Sequence, residues 1–287
     1  MSMSASHSVE RRRFHWYTLF KYGIYALLAN NVYQFFLEEW LASAHTFTNG
    51  PSLGQLIEAY SATIDTAAWW VLLIMFELET WVIPDEKLKG RLKWSLNAVK
   101  LACYSLILYA LYGYLNKYLL MQSFELAMIN DACSQAAVGL SFMTDLNEYT
   151  LLTTANCATL AGNPPYFTTS SLNILANTDS LANAQYLATI DLVNASNWIA
   201  ILVILQMDVW LQLYGKLSER LMWISGGIKA VLYLILLTCA VLWGISGNFL
   251  DFWDAFLWIL AFAFIELNLF EWHVEKEHPE MTPKPIR

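Results

Sequence analysis

Six apolar runs, at 17–38, 66–83, 94–115, 197–214, 223–246 and 253–271, are each near the ~20 residues a helix needs to cross a bilayer core. Hydrophobic residues make up 57% of the 287-residue chain and charged residues only 14%, against about 25% charged in a soluble domain. The chain therefore reads as an all-α integral membrane protein with six transmembrane helices. No cleavable leader is expected, because the apolar stretch after Arg13 is long and Lys21, Asn30 and Asn31 interrupt it.

The basic residues orient the spans. Arg11, Arg12, Arg13 and Lys21 stand at the start of span 1. Lys87, Lys89, Arg91, Lys93 and Lys100 surround the connection between spans 2 and 3. Lys216, Arg220 and Lys229 surround that between spans 4 and 5, and Lys276, Lys284 and Arg287 follow span 6. Of the 16 basic residues only Lys117 falls on the opposite face. The positive-inside rule then makes the basic face and both termini cytoplasmic. The other face carries Glu125, Asp131, Asp145, Glu148, Asp179 and Asp191. They read either as a solvated surface or as a field that concentrates cations at an entrance.

A second feature is internal self-similarity, which marks repeat architectures. Sixteen residues upstream of Trp81, Trp210 and Phe270 stand Asp65, Asn194 and Asp254. Twelve upstream stand Trp69, Trp198 and Trp258; four upstream, Glu77, Gln206 and Glu266; two upstream, Glu79, Asp208 and Asn268. Six downstream stand Lys87, Lys216 and Lys276, and no gap is needed. Spans 3 and 5 continue the register through Arg91 and Arg220, Trp94 and Trp223, Lys100 and Lys229, and Tyr104 and Tyr233; span 1 offers Trp16, Lys21 and Tyr25, one residue shorter. The expectation is three tandem two-helix hairpins about a pseudo-threefold axis along the membrane normal. They would cover 1–83, 84–214 (with an external insertion over 116–196) and 215–287, the last ending in a cytoplasmic tail.

Asp65, Asn194 and Asp254 are expected to be N-caps, accepting from the first-turn N–H groups of spans 2, 4 and 6. Trp69, Trp198 and Trp258 are expected in the outer aromatic belt, with Trp16, Trp81, Trp94, Trp210 and Trp223 in the inner one. Just inside the inner belt lies a charged layer of Lys21, Lys100, Lys229, Glu77, Glu79, Asp208 and Glu266, with the amides Gln206 and Asn268. An unpaired ion there costs ~2.5–3.5 kcal/mol, so pairing is expected. Residues two apart on a helix point about 200° apart. One acidic position can then face the Lys of its own hairpin and the other the Lys of the next, with Tyr25, Tyr104 and Tyr233 one turn above each Lys as donors. The layer is either structural glue or the gate, proton relay or solute site of a conduit.

Outside the spans, Ser52 and Gln55 at capping-box spacing suggest a short helix over about 53–62. The segment 116–196 is expected to be mainly helical, with a break at Asn163, Pro164 and Pro165, a Ser/Thr/Asn-rich loop and a helix around 180–194. Cys133 and Cys157 share this segment and are candidates for a disulfide. Cys103 and Cys239 read as packing residues. His15 and His273 are a weak candidate for a metal or haem pair. No phosphate loop, HExxH or GxSxG motif occurs, so neither an enzyme nor a cofactor is expected, and no metal or nucleic-acid site. Three hairpins of one orientation resemble the mitochondrial carriers in architecture alone: their Pro-x-[DE]-x-x-[KR] signature is absent from the odd spans.

The functional expectation is a small transporter or channel of a bacterial inner (cytoplasmic) membrane, acting on a small ion or solute through the charged layer. The other reading is a non-transporting scaffold or subunit of a larger complex, whose protein partner binds at 116–196.

Overall fold

The register of apolar and polar residues folds into long helices packed side by side, capped at one end by a small sheet. The computed structural model describes residues 3–47, 50–52, 54–84, 87–136, 138–169, 171–214 and 218–262. Helix α1 (Met3–Thr46) contains span 1. A single turn, α2 (Leu56–Ala59), precedes α3 (Ser61–Glu77), which ends in a π-turn over Leu78–Val82. Helix α4 (Gly90–Gln122) contains span 3 and extends beyond it. After the sheet come α6 (Thr178–Leu213), α7 (Glu219–Ser246) and a helix α8 over 249–262. Glu266, Asn268 and His273 lie outside the described residues, as do the rest of span 6 and the tail.

Three of these helices are long and apolar enough to cross a membrane: Gly90–Gln122, Thr178–Asp208 and Arg220–Ser246. Their outward faces are apolar. Leu101 is 67% exposed, Ile224 58% and Leu234 63%, a surface suited to hydrocarbon. Neighbouring helices pack as α1 on α3, α3 on α4, α4 on α6 and α6 on α7. Helix α8 lies against α7 at Phe252 and Gly244 and reaches α1 through Asn31, whose side-chain amide donates to Asp254 at 2.8 Å. Helix α7 stops where Gly247 takes φ +88°, a left-handed cap open to glycine.

The segment 116–196 departs from expectation. It is not mainly helical but carries a five-stranded sheet in the order β1-β4-β5-β2-β3, formed by Glu125–Leu126 (β1), Ser141–Asp145 (β2), Glu148–Leu151 (β3), Tyr166–Thr169 (β4) and Leu172–Asn177 (β5). All pairings are antiparallel except β2 with β5. Side chains alternate between the two faces of the sheet. Met143, Ile174 and Ala176 pack toward the helices with Met121, Leu187 and Trp243. Phe142, Leu175 and Tyr166 pack away from them with Leu152, Ala161 and Cys157 of a short helix α5 (Cys157–Ala161). Cys133 and Cys157 are joined by a disulfide that staples this second layer. The strands are short and carry Thr, Tyr and Phe, residues that suit a half-buried pleat. The expected helix at 180–194 is the unbroken first half of α6.

Two further expectations are corrected. Asp65, Asn194 and Asp254 are not N-caps. Helix α3 starts at Ser61, and its free N–H groups at Ala62 and Thr63 donate to Glu39 of α1 at 2.9 and 3.0 Å. A carboxylate from a neighbouring helix thus does the capping, and Asp65 sits one turn inside. Helix α6 starts near Asn177, whose side chain accepts from Ser180 N–H, far before Asn194; Asp254 likewise lies within α8. Nor are Trp69, Trp198 and Trp258 an outer belt. They are buried and meet in the middle of the helices, with ring centroids 5.8 Å apart for Trp69–Trp198 and 6.4 Å for Trp69–Trp258. Aromatic pairing inside a packed core outweighs the interfacial preference of the indole. Trp94 and Trp223, by contrast, are exposed.

Candidate functional site

Three ion pairs form a layer at the end of the helices away from the sheet. Lys21 of α1 bonds Glu77 of α3 at 2.5 Å, Lys100 of α4 bonds Glu79 of the π-turn at 2.9 Å, and Lys229 of α7 bonds Asp208 of α6 at 3.0 Å. Glu77 and Glu79, two residues apart, point to different neighbours. Lys21 and Glu77 are almost wholly buried, while the other two pairs are about a quarter exposed. Tyr25 donates to Glu77 at 3.4 Å, joined by Tyr22 at 3.2 Å. Ser225 donates to Asp208 at 2.6 Å. Of the other expected members, Gln206 is exposed, Tyr104 is half-buried and Tyr233 borders the apolar core.

Toward the sheet from this layer, a plug of fully packed apolar side chains (Leu28, Ile201, Leu257 and Ala261) surrounds the three Trp. Phe262 stacks among them, 4.7 Å from Trp198. Immediately beyond the Trp lies a cavity of about 60 Å³, room for several waters at ~10–15 Å³ each. Its lining follows the sequence register closely. Trp69, Trp198 and Trp258 form the floor, and Asp65, Asn194 and Asp254 stand one turn above them. A tier higher come Ala62, Asp191 and Asp251, which hold the position nineteen upstream of Trp81, Trp210 and Phe270. Phe35, Tyr114 and Trp243, each fourteen residues beyond Lys21, Lys100 and Lys229, complete the wall. Four sets of three residues in a common register thus surround one space. The floor lies about 12 Å from the charged layer by helix rise, with Trp69 and Glu77 eight residues apart.

The acids are held by neutral donors. Asp65 accepts from Tyr114 at 3.5 Å, with Trp69 one helical turn away. Asp254 accepts from Asn31, with Trp258 one turn away. Asp191 accepts from the Trp243 indole at 3.2 Å. At the third position of the Asp65 tier, Asn194 Oδ1 is buried with no hydrogen-bond partner. Such an orphan is uncommon and calls for an explanation.

Two smaller cavities continue toward the sheet. One of about 50 Å³ shares Asp191, Trp243 and Asp251 with the first and adds Glu38, Asp145 and Glu148. The other, of about 40 Å³, adds Glu39 and Glu58. Asn147, at the β2–β3 turn, borders all three. It accepts from Lys117 at 3.0 Å and donates to Glu38 at 2.8 Å. Among the described residues nine carboxylates line these cavities, and Lys117 is the one cation. Outside the spans, burial raises the Asp145 carboxyl above its usual range. Burial, then the charges of Asp191, Glu38 and Asp254, raise Asp251 well above it, with Lys117 opposing.

This cavity, rather than the charged layer, is the site that a reading of the sequence alone passes over. The signal was present: Asp65 to Trp69, Asn194 to Trp198 and Asp254 to Trp258 are each four residues apart, so acid and indole share one helix face. A Trp that packs inward carries its acid inward with it. No group of three His, Cys, Asp or Glu among the described residues is placed to hold a metal ion. The chain matches no known family model, and neither a characterised protein nor a solved structure shows significant similarity to it.

Proposed function

We propose that this chain is a multi-pass protein of a bacterial inner membrane that transports a small cation. In this reading the six spans are three two-helix hairpins about a pseudo-threefold axis, with the basic ends cytoplasmic and the sheet outside. The cavity is the outward-facing solute site, and the acidic pockets beneath the sheet are its entrance. The Trp floor and the apolar plug close the path, and the Lys/carboxylate layer below is the cytoplasmic gate. The observation that carries the reading is the cavity itself: four carboxylates, aromatic walls and one Lys inside a helical bundle. Carboxylates in such a low-dielectric recess attract cations strongly, and ionisable groups among transmembrane helices mark pathways more often than glue. The four register-related triplets support the three-hairpin arrangement.

The test is cation flux in proteoliposomes, with alkali cations and ammonium ions as solutes. Flux is expected for wild type, reduced at least tenfold in Asp254→Asn and altered in Lys100→Met and Glu79→Gln. Absence of flux for every cation, from folded protein, sinks the proposal. A second reading, a subunit of a larger complex, draws on Met128 and Val138, which stand 98% and 69% exposed on the sheet module. Co-purification of a stoichiometric partner, lost in Met128→Asp, would favour it.

A further inference from the structure

We infer that the cavity binds a primary ammonium group, coordinated by Asp65, Asp254 and Asn194. This rests on the cation reading above and names the class of cation. Three observations converge on it.

The first is an acceptor without a donor. Asn194 Oδ1 is buried and unpartnered, whereas Asp65 and Asp254, at the matching positions of the other two central helices, each already accept a hydrogen bond. A carboxylate has about four lone-pair sites, so both keep capacity. Three acceptors from three helices therefore border one small space, and a –NH3+ group carries three donors. Each acceptor would receive one N–H, and the orphaned amide oxygen gains the partner its burial otherwise denies it.

The second is the floor. Trp69, Trp198 and Trp258 close the cavity beneath the acceptors. Aromatic faces stabilise ammonium ions, most of all where water is excluded. The donor set is unlike that of a metal site, since among the described residues no three acids converge.

The third is Lys117. It borders the first cavity and the one of about 40 Å³, and its ammonium is bonded to Asn147. The chain already draws one primary ammonium of its own into the acidic entrance, which shows the chemistry this space accepts. A volume of about 60 Å³ limits the bound head to one the size of methylammonium, and any tail would extend toward the sheet.

The test is isothermal titration of the full-length protein in detergent, at constant ionic strength, with methylammonium, tetramethylammonium and potassium chlorides. Methylammonium is expected to bind at least about tenfold more tightly than either of the others, the scale of one charge-assisted hydrogen bond. Asn194→Leu should weaken methylammonium about tenfold, and Asn194→Asp should tighten it. If Asn194→Leu does not fold, the Asn194→Asp comparison and the wild-type selectivity still decide. Equal or tighter binding of tetramethylammonium or potassium overturns the inference while leaving the cation reading in place. Absence of binding by all three overturns both.

Discussion

Lys229 Nζ lies 3.0 Å from Asp208 Oδ2, a pairing at the same sequence separation, 21, that joins Lys100 to Glu79. Each Lys thus pairs with the acid of the helix before it. Lys21 of α1 pairs with Glu77 of α3, a helix that follows it. The difference in burial sets the first prediction. Lys21→Met leaves Glu77 as an uncompensated buried charge and should cost ~3–5 kcal/mol. Lys229→Met, at a pair about a quarter exposed, should cost less, because Asp208 keeps the Ser225 hydroxyl as a donor. Thermal unfolding in detergent reads the difference, and Lys21→Met with Glu77→Leu together should recover most of the loss.

Among the described residues Lys117 is the one cation that lines the acidic cavities, so an incoming cation meets its repulsion. Lys117→Met should tighten methylammonium by up to about tenfold, equivalent to ~1.4 kcal/mol. Titration of the variant checks this, and an unchanged or weaker affinity would remove Lys117 from the entrance.

Binding should depend on pH with a definite sign. The Asp251 carboxyl titrates above its usual range because it is buried beside Asp191, Glu38 and Asp254, with Lys117 opposing. A raised value means that Asp251 becomes neutral at a higher pH than an ordinary carboxylate. Cation affinity should therefore be full at alkaline pH and begin to fall, as pH drops, well before the ~4 of a free Asp side chain. Asp251→Asn should flatten the upper part of that profile. A wild-type profile whose decline begins only near pH 4 would contradict the assignment.

The Cys133–Cys157 disulfide, with a sequence separation of 24, closes a loop for which chain entropy gives roughly 3 kcal/mol of stabilisation. Cys133→Ser with Cys157→Ser should lower protection of amides in β2, β4 and β5 against hydrogen exchange. The helical ion pairs should be untouched, because the staple closes the layer of the sheet facing away from the helices. Equal loss of protection in α4 and α7 would show that the two parts unfold together.

Much of the helical frame was legible because apolar length and the spacing of Lys, Glu and Trp leave few alternatives. The charged layer was readable to the level of partners: two acids two residues apart must face different neighbours, as Glu77 and Glu79 do. The sheet was not readable in the same way. Its strands are four to six residues long apart from the two-residue β1, too short to show a periodicity, and their Thr and Asn content resembles a loop. The cavity was hidden by a local rule that fails for a tertiary reason. Asp before a span looks like a cap, yet Glu39 from another helix caps α3 and frees Asp65 for the interior. The same inward turn moved Trp69, Trp198 and Trp258 from the expected belt to the core.

On this reading a negatively charged, water-accessible cavity opens toward the sheet side of the helices. Reaction of Ala62→Cys with charged thiol reagents tests it most directly. Ala62 lines the cavity without holding any of its acids, Cys103 and Cys239 are buried, and Cys133 is bonded to Cys157, so the new thiol stands apart from the native ones. In proteoliposomes of known orientation, a cationic methanethiosulfonate added on the sheet side should react at least about tenfold faster than an anionic one, the steering expected of a field of several kT. Methylammonium should slow that reaction. Equal rates for the two reagents, faster reaction with the anion, or modification only from the opposite side would contradict the account.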